Sequence, residues 1–393
     1  MIDTDELTRR ERVDEHVVLA PPPIARKGRG AVSNLQGRYE PNGRERFDDG
    51  WPDDHDEPAA FKTVVTDEFA KSILSRNTSP DIPFSVSLNP YRGCEHGCIY
   101  CFARPSHSYL GLSPGLDFES RLFAKVNAPD LLRRELAKPG YVPEHIAIGV
   151  NTDAYQPCER ERQITRQVLE VLAECRHPTG LITKSSLIER DIDLLAPMAA
   201  HNLACAAVTI TTLDAQISRT LEPRAAAPMR RLRTIRTLTD AGIPVSVSVA
   251  PIIPFVTEPE IERILEAARD AGAVGAHYTV LRLPHEVNPL FQEWLQAHFP
   301  DRAQRVMNRI RDMRGGKDYD SDFARRMHGD GVWADLIRQR FEKAAARLGM
   351  TELRGRFGRL DASQFRRPLV VPAPVPASAR RGSPQAAAQL ALF

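Results

Sequence analysis

The sequence predicts an α/β protein whose core is a partial (β/α)6 barrel of the TIM type, with a C-terminal helical extension and disordered N- and C-terminal tails. Three observations predict this fold. Short apolar segments alternate with amphipathic helical periods between about residue 83 and residue 285. A helix separates each pair of segments, so the strands are expected to be parallel, with right-handed crossovers. Both ends of the chain lack a sustained apolar period.

Six strands and five helices are predicted within the barrel. The strands are expected at 85–90, 144–150, 179–183, 203–211, 243–250 and 275–281, and the helices near 128–138, 160–175, 188–200, 228–241 and 257–271. In the fifth strand valines alternate with Ser246 and Ser248, so the valines are expected to face the helices and the serines the lumen. Polar lumen positions indicate either a ligand inside the barrel or local hydrogen bonding to backbone or water.

Four regions are expected along the chain. They are a mostly disordered segment (1–60), the barrel (61–285), the helical extension (286–350) and a basic, Pro/Ala-rich tail (351–393). Within the first region, residues 27–38 are interpreted as a segment that becomes ordered on a partner. In the extension, four aromatic residues are expected to pack the helices onto the barrel: Trp294, Phe299, Trp333 and Phe341.

Composition excludes some classes of protein and leaves others open. The chain has 393 residues, a formal net charge of +2 and 42% hydrophobic residues, which is enough for a sizeable core. No stretch approaches the ~20 apolar residues of a membrane span. Acidic residues concentrate at 48–57, and seven Arg fall within 352–381, which indicates either contact with a polyanion or a solvated tail. Six Cys without a signal peptide predict a reducing, cytoplasmic location.

Three cysteines in one short run point to a metal centre. Cys94, Cys98 and Cys101 form C-x3-C-x2-C, so three thiols lie within eight residues. A structural zinc ion takes four protein ligands, whereas three cysteines holding a cubane of four irons leave one iron open to a substrate or cofactor. A zinc site completed by His96 or Cys158 is the alternative, and a disulfide is a weaker one.

The motifs around these cysteines resemble the radical S-adenosylmethionine (SAM) superfamily, in the branch that includes the spore photoproduct lyases. The resemblance covers about residues 83–285 and rests on Asn89-Pro-Tyr-Arg-Gly-Cys94, Cys101-Phe-Ala-Arg104 and Leu221-Glu-Pro-Arg224. It implies an enzyme whose three Cys hold a [4Fe–4S] cluster. SAM chelates the fourth iron and is cleaved to a 5′-deoxyadenosyl radical, and a low-potential donor of the flavodoxin or ferredoxin type supplies the electron.

The resemblance also assigns SAM contacts. Tyr100 would contact the adenine, with 250–254 along its edge, and Thr209 and Thr211 would lie near the ribose. The amino group maps to Asn151, Thr152 and Asp153. The carboxylate maps to Lys184 and to Arg224, which otherwise pairs with Glu222. For each residue the alternative is a structural role: a core aromatic, a satisfied hydroxyl or a surface lysine.

The resemblance fails at one position and leaves the substrate open. Photoproduct lyases carry a hydrogen-donating Cys just beyond strand two, but residues 148–155 contain no thiol here, and Cys158 is the nearest. His107 or Tyr109 is expected either to meet substrate or to be structural. Three functions therefore remain. They are a radical SAM enzyme acting on DNA or RNA, one acting on a protein or small molecule, and a non-catalytic metal-binding module for nucleic acid.

The last residues suggest a macromolecular partner. Gln389-Leu-Ala-Leu-Phe393 resembles the peptide with which bacterial polymerases and repair proteins bind the DNA sliding clamp. A flexible tether would present Leu390, Leu392 and Phe393 to a preformed groove, and the glutamine would fix the register by hydrogen bonding. The alternatives are a tail that folds back onto its own domain and a chance match.

Overall fold

A computed structural model describes residues 25–40, 62–350 and 360–368. The strands are β1 (Val64–Glu68), β2 (Leu74–Arg76), β3 (Val86–Leu88), β4 (Tyr91–Arg92), β5 (Arg121–Lys125), β6 (Ile146–Ile148), β7 (Thr179–Thr183), β8 (Ala204–Thr209), β9 (Val245–Ile252) and β10 (Gly275–Val280). The α-helices are α1 (Leu116–Ser120), α2 (Ala128–Ala137), α3 (Glu159–Arg162), α4 (Ile164–Glu174), α5 (Ile192–Ala200), α6 (Ala215–Leu221), α7 (Pro228–Asp240), α8 (Ile261–Asp270), α9 (Val287–His298), α10 (Pro300–Asp312) and α11 (Gly331–Arg347).

The main sheet confirms the predicted partial barrel. Its order is β10-β9-β8-β7-β6-β3-β2, and the six strands from β3 to β10 pair in parallel, each beside the next strand of the sheet in chain order. Only β2 joins antiparallel, at the edge beside β3. All six predicted strands and the five helical periods are present. In a parallel sheet of this kind the loops at the carboxyl ends of the strands gather on one side, and a site is expected there.

The two faces of the sheet differ in polarity, as the alternation in β9 predicts. The valines of β9 are fully buried in a large apolar cluster that also contains residues of α4, α7 and α8. On the other face the register aligns Thr209, Ser248 and His277 across β8, β9 and β10. Ser246 and Ser248 are buried, and the Ser246 hydroxyl lies 3.5 Å from the carbonyl of Ala206. This polar row on three neighbouring strands confirms that the inner face is not built for packing alone.

A second sheet, which the sequence did not predict, lies beside the cysteine loop. It has the order β1-β5-β4, with β1 parallel and β4 antiparallel to β5. The predicted strand at 85–90 thus ends at Leu88, and the chain enters the second sheet at Tyr91. Sequence periodicity missed β1 because its residues are exposed or only half-buried and show no clean alternation.

The helical extension is confirmed, with one correction among its aromatic residues. Trp294 is fully buried and donates its indole N–H to the carbonyl of Thr220 at 3.0 Å, and Phe341 is buried against β10 and α8. Trp333 does not pack onto the barrel. It remains 41% exposed, and the guanidinium of Arg309 lies 3.2 Å from its ring centroid.

Residues 25–40 lie against the rest of this chain. Gly30 and Ala31 donate their amide N–H groups to the Glu119 carboxylate, and Arg38 pairs with Glu286 at 2.6 Å. The expectation that residues 27–38 become ordered on a partner is therefore corrected, because their contacts are within the chain itself. The remaining residues of 1–60 and the tail beyond 368 lie outside the described residues. No described helix has the length and apolar character that crossing a membrane requires.

Candidate active site at the cysteine loop

The cysteine loop, residues 93–101, is a tight turn that begins directly after β4. Gly93 and Gly97 have φ angles of +73° and +67°, a left-handed conformation that L side chains rarely adopt. The loop folds on itself through hydrogen bonds from Gly97 N to the Cys94 carbonyl and from Cys101 N to the Cys98 carbonyl. The two glycines therefore allow the chain to turn tightly enough to place three cysteines on one short loop.

The thiols lie in a low-dielectric environment. Cys94 and Cys98 are buried, and Cys101 is half-buried. Burial, together with the neighbouring thiols of the loop, raises the pKa of Cys94 well above its usual value and that of Cys98 to about 12. In the described part of the chain, no three His, Cys, Asp or Glu side chains already stand at metal-binding geometry. A thiol must lose its proton when it binds a metal.

Arg104 fixes the backbone of this loop from behind. Its guanidinium is fully buried and donates to four carbonyls, those of Gly97, Cys98, Pro114 and Gly115, at 2.9–3.2 Å. Glu119, also fully buried, pairs with Arg104. A buried guanidinium costs free energy unless it is paired and hydrogen-bonded, and both conditions hold here.

The loop after β6 holds the cysteine loop from a second side. The Asn89 side-chain oxygen accepts from the backbone N–H groups of Asn151 (2.9 Å) and Thr152 (3.4 Å). The Thr152 hydroxyl donates to the Tyr91 carbonyl, which gives that hydroxyl a structural role. The buried Gln156 accepts from Glu95 N at 2.8 Å and donates to the Gly93 carbonyl at 3.2 Å. The side chain of Asn151 remains exposed.

Asp153 joins three strand-end loops. Its carboxylate accepts from Lys184 N (2.8 Å) and the Thr183 hydroxyl (2.7 Å), both after or at the end of β7. One oxygen also lies 3.3 Å from His96 Nδ1 in the cysteine loop. Burial by itself would raise the pKa of Asp153, but His96 and these hydrogen bonds lower it to about 2. The carboxylate is therefore ionised and positions the cysteine loop against β7.

Lys184 lies half-buried at the carboxyl end of β7. Its Nζ is 5.8 Å from the centroid of the Tyr100 ring. Burial would lower the pKa of Lys184, but the nearby Cys98 and Glu222 raise it above its usual value. A permanent positive charge therefore stands beside the thiol of Cys98.

A buried network lies beneath Tyr100. The Tyr100 hydroxyl and the Thr211 hydroxyl both donate to Glu222, and Arg231 pairs with the same carboxylate. Arg231 also donates to the Thr209 carbonyl at 3.0 Å. Each of these side chains is at least nine-tenths buried. The network connects the cysteine loop to β8 and α7. The Thr209 carbonyl and the Thr211 hydroxyl, which take part in it, therefore have a structural role.

The Arg224–Glu222 alternative is wrong. Glu222 pairs with Arg231, whereas the Arg224 guanidinium contacts Glu95 at 2.6 Å, and the backbone N–H of Arg224 donates to the His96 carbonyl at 3.2 Å. The Arg224 side chain is 39% exposed, so it lies at the rim of the site.

The alternative that His107 meets substrate is corrected. His107 is fully buried, its Nε2 lies 2.9 Å from the Arg121 carbonyl, and its ring packs edge-on against Phe118. Burial lowers its pKa to about 4, so the ring stays neutral. Tyr109 is 69% exposed and stacks on Tyr39.

The zinc alternative named His96 or Cys158 as the fourth ligand. In the structure His96 lies beside Asp153, and Cys158 lies at the start of α3.

Comparison with known proteins supports the resemblance. Residues 88–268, just under half of the chain, match the sequence model of the radical SAM superfamily. Over this part of its length the chain is similar to that superfamily. The match begins at the end of β3 and ends in α8, so it contains the cysteine loop and most of the parallel sheet.

Individual proteins and solved structures are similar to this chain over different shares of its length. The uncharacterized protein Rv2578c of Mycobacterium tuberculosis is 34% identical over 226 residues, which cover 57% of this chain and 66% of that protein. The uncharacterized protein MJ0683 of Methanocaldococcus jannaschii is 25% identical over 223 residues, 56% of this chain and 79% of that protein. The chain thus spans just under two thirds of the mycobacterial relative. Spore photoproduct lyase, in complex with a dinucleoside spore photoproduct, superimposes with a TM-score of 0.48 and 12% identity, covering 72% and 79% of the two chains.

The residues of the site fit the cofactor that the family uses. Three thiols on one short loop suit a cluster that keeps one iron open.

Several residues that build the site were missed by sequence reasoning. They are Arg29, Gly30, Glu95, Glu119, Gln156 and Arg231, together with the structural role of Glu222. Two of the quoted motifs already contained part of the answer. In Leu221-Glu-Pro-Arg224 the buried charged residue is Glu222, and in Cys101-Phe-Ala-Arg104 the arginine binds the loop carbonyls.

Proposed function

We propose that this chain binds a [4Fe–4S] cluster through Cys94, Cys98 and Cys101 and uses it to cleave SAM reductively. One observation supports this most directly. A single loop brings three thiols to the carboxyl edge of the parallel sheet, beside the positively charged Lys184. When bound, the cluster supplies a low-potential electron to SAM, and the open iron takes the amino-acid end of SAM. A low-potential protein of the flavodoxin or ferredoxin type is the proposed electron source.

The chain's own residues orient the cosubstrate in this proposal. Lys184 provides a point charge for the carboxylate, and the exposed side chain of Asn151 is available to the amino group. Tyr100, fixed by its hydrogen bond to Glu222, offers an aromatic face near the same end of the sheet. The ionised Asp153 adds a negative field that favours a cationic cosubstrate.

The test is SAM cleavage by protein whose cluster has been reconstituted without oxygen. We expect brown protein that converts SAM to methionine and 5′-deoxyadenosine when a low-potential reductant is added. Colourless protein that holds one zinc ion and leaves SAM intact would contradict the proposal and favour the non-catalytic binding module.

Lys184→Ala is expected to weaken SAM binding while the cluster remains. Losing a charge-assisted contact costs about 1.5–3 kcal/mol, so the Kd for SAM should rise roughly tenfold or more. Isothermal titration of reconstituted protein measures the Kd, and iron analysis checks the cluster. Lys138→Ala is the matched control, because that lysine is 61% exposed and pairs only with Glu135 on the surface. An unchanged Kd in Lys184→Ala would exclude this residue from the site.

Nucleic acid is the proposed substrate class, with a protein or small molecule as the alternative. The support is a set of contacts between arginines and two aromatic side chains that lie in the loops after β4 and β9. Phe102, next to Cys101, is 45% exposed and faces the guanidinium of Arg282 at 5.3 Å. Arg305 lies 4.0 Å from the ring centroid of Phe255, which follows β9. Such pairs stack on unpaired bases and contact phosphates.

If nucleic acid is the substrate, single-stranded DNA or RNA should stimulate SAM cleavage. Deuterium from a deuterated nucleic acid should also be transferred into 5′-deoxyadenosine. If neither DNA nor RNA stimulates SAM cleavage, a protein or small-molecule substrate is favoured.

Docking on the DNA sliding clamp stays a prediction, since residues 389–393 lie outside the described residues. The terminal Gln389-Leu-Ala-Leu-Phe393 is its support. Deletion of these five residues is expected to abolish binding to purified clamp in surface plasmon resonance, because it removes all the apolar anchors. Equal binding by the truncated protein would exclude this mode of docking.

A further inference from the structure

A short N-terminal segment lies against the cysteine loop. We call residues 29–38 the N-terminal strap. Its first three residues bind α1 of the core: Gly30 N and Ala31 N donate to the two oxygens of Glu119 at 3.0 and 2.8 Å, and Arg29 Nη1 donates to the Glu119 carbonyl at 2.8 Å. Glu119 is the same carboxylate that pairs with Arg104.

The strap contacts the backbone between two of the cysteines. A Cβ atom added to Gly30 would lie 1.9 Å from the Gly97 carbonyl oxygen and 3.3 Å from Ile99 N. Because no side-chain atom approaches a carbonyl oxygen so closely, only glycine fits at position 30 while the loop keeps this position. The Gly97 carbonyl also accepts from Arg104, so any displacement would disturb that buried hydrogen bond.

Further contacts extend the strap over the site. Ala31 is fully buried in the apolar cluster that contains Cys98 and Tyr100. Arg29 Nη2 donates to the Thr63 hydroxyl, which donates to Glu95 of the cysteine loop at 2.7 Å. The far end is fixed to α9 and the residue before it, through Ser33 with Glu293 and Arg38 with Glu286. The strap thus reaches the cysteine loop by steric, apolar and polar contacts.

We propose that residues 29–31 are an integral part of the cluster site and act as positioning residues, holding the cysteine loop in the conformation that presents its three thiols to iron. This inference rests on the proposed function. It follows from the observation that Arg104 and Glu119 connect the strap to the carbonyls of Gly97 and Cys98 in one fully buried network. A loop fixed in this way loses less conformational freedom when the cluster binds, so the strap increases cluster affinity.

Gly30→Ala in the full chain tests the proposal. Gly30 does not require a positive φ, so alanine introduces no backbone strain, and its nearest new contacts are with the backbone of Gly97 and Ile99 in the cysteine loop. After anaerobic reconstitution, we expect Gly30→Ala to lose iron to a chelator about tenfold faster than wild type or more, with an altered electron paramagnetic resonance spectrum. Gly140→Ala is the matched control, because nothing lies within 4 Å of a Cβ at that position. Both variants are compared at a temperature at which circular dichroism shows the iron-free protein to be folded, which separates positioning from a general loss of fold.

The outcomes are distinguishable. Equal iron retention in Gly30→Ala and wild type would overturn the role of the strap and leave the proposed function intact. A wild-type protein that takes up no iron would instead overturn the proposed function. If circular dichroism shows that Gly30→Ala does not fold, Arg29→Lys decides, since lysine keeps the charge but cannot reach both Glu119 and Thr63. We then expect iron loss about threefold faster than wild type, and an unchanged rate would refute the role of the strap.

Discussion

Cys98→Ala is expected to lose both the iron centre and SAM cleavage. Cys98 is one of only three thiols on the cysteine loop, and a cubane held by two protein ligands would have two open irons. Activity should fall to background, a loss of at least about 100-fold, given that even removing outer partners of metal ligands costs 10–100-fold. Iron and sulfide analysis and the rate of 5′-deoxyadenosine formation measure the two effects.

The control for this variant is Cys205→Ala. Cys205 is equally buried, but it lies within β8 rather than in the cysteine loop. Removing its sulfur leaves a small cavity and a modest loss of stability, and iron content and turnover should remain close to wild type. If Cys98→Ala kept its turnover, the assignment of the cysteine loop as the cluster site would be wrong.

Glu222→Gln is expected to cause the largest loss of stability among conservative changes at the site. Glu222 is 2% exposed and accepts from Tyr100, Thr211 and Arg231. The amide leaves the guanidinium of Arg231 buried without a counter-charge, and breaking a buried pair in this way costs about 3–5 kcal/mol. Urea unfolding of the iron-free protein at pH 7 measures the loss. Glu266→Gln is the control, because its pair with Arg347 is exposed and should contribute less than about 1 kcal/mol.

The same variant should change how stability depends on pH. Burial raises the pKa of Glu222, but the lowering by Arg231 and Lys184 is larger, so the net pKa lies below the usual 4.5. A carboxylate with a depressed folded-state pKa stabilises the fold above its unfolded pKa, and this contribution is lost as pH falls through the folded value. The difference in unfolding free energy between wild type and Glu222→Gln should therefore stay constant from pH 7 to about 5 and shrink below about 4.5. A difference that grows on acidification would contradict this role.

The sequence predicted the barrel because its strands are buried on both faces and its helices are amphipathic. The valines of β9 and the runs in β7 and β8 carry a local periodicity that any reader of the sequence can find. β1, β4 and β5 carry no such pattern, since they form a small sheet whose pairing depends on contacts between residues 64–68 and 121–125. Local sequence does not encode that distant pairing.

For the site, spacing predicted the ligands but not their supports. Three cysteines within eight residues are visible in the sequence, and the ends of parallel strands had to meet. The side chains that hold the loop are charged residues at sequence separations from 15 to 90, such as Arg104 with Glu119 and Arg29 with Glu119. A buried arginine or glutamate looks like a surface residue in sequence, because charged residues are almost never fully buried unless paired.

Arg224 and Glu222 illustrate the same limit. They are two residues apart in one motif, and the sequence favoured either a clamp on a carboxylate or a pair between the two. The fold instead separates them. The end of α6 directs Glu222 inward to Arg231 on α7, and Arg224 reaches Glu95 at the rim. Which of two neighbouring charges becomes buried depends on the helix end, which sequence reading places only to within a few residues.

Electron paramagnetic resonance of the anaerobically reduced, reconstituted protein, recorded with and without SAM, tests the central claim most directly. The claim is that the cysteine loop holds a cubane with one iron free of protein ligands. We predict a [4Fe–4S] signal whose shape changes when SAM is added, because SAM then occupies the open iron. The absence of a cluster signal, or a signal that SAM leaves unchanged, would contradict the claim.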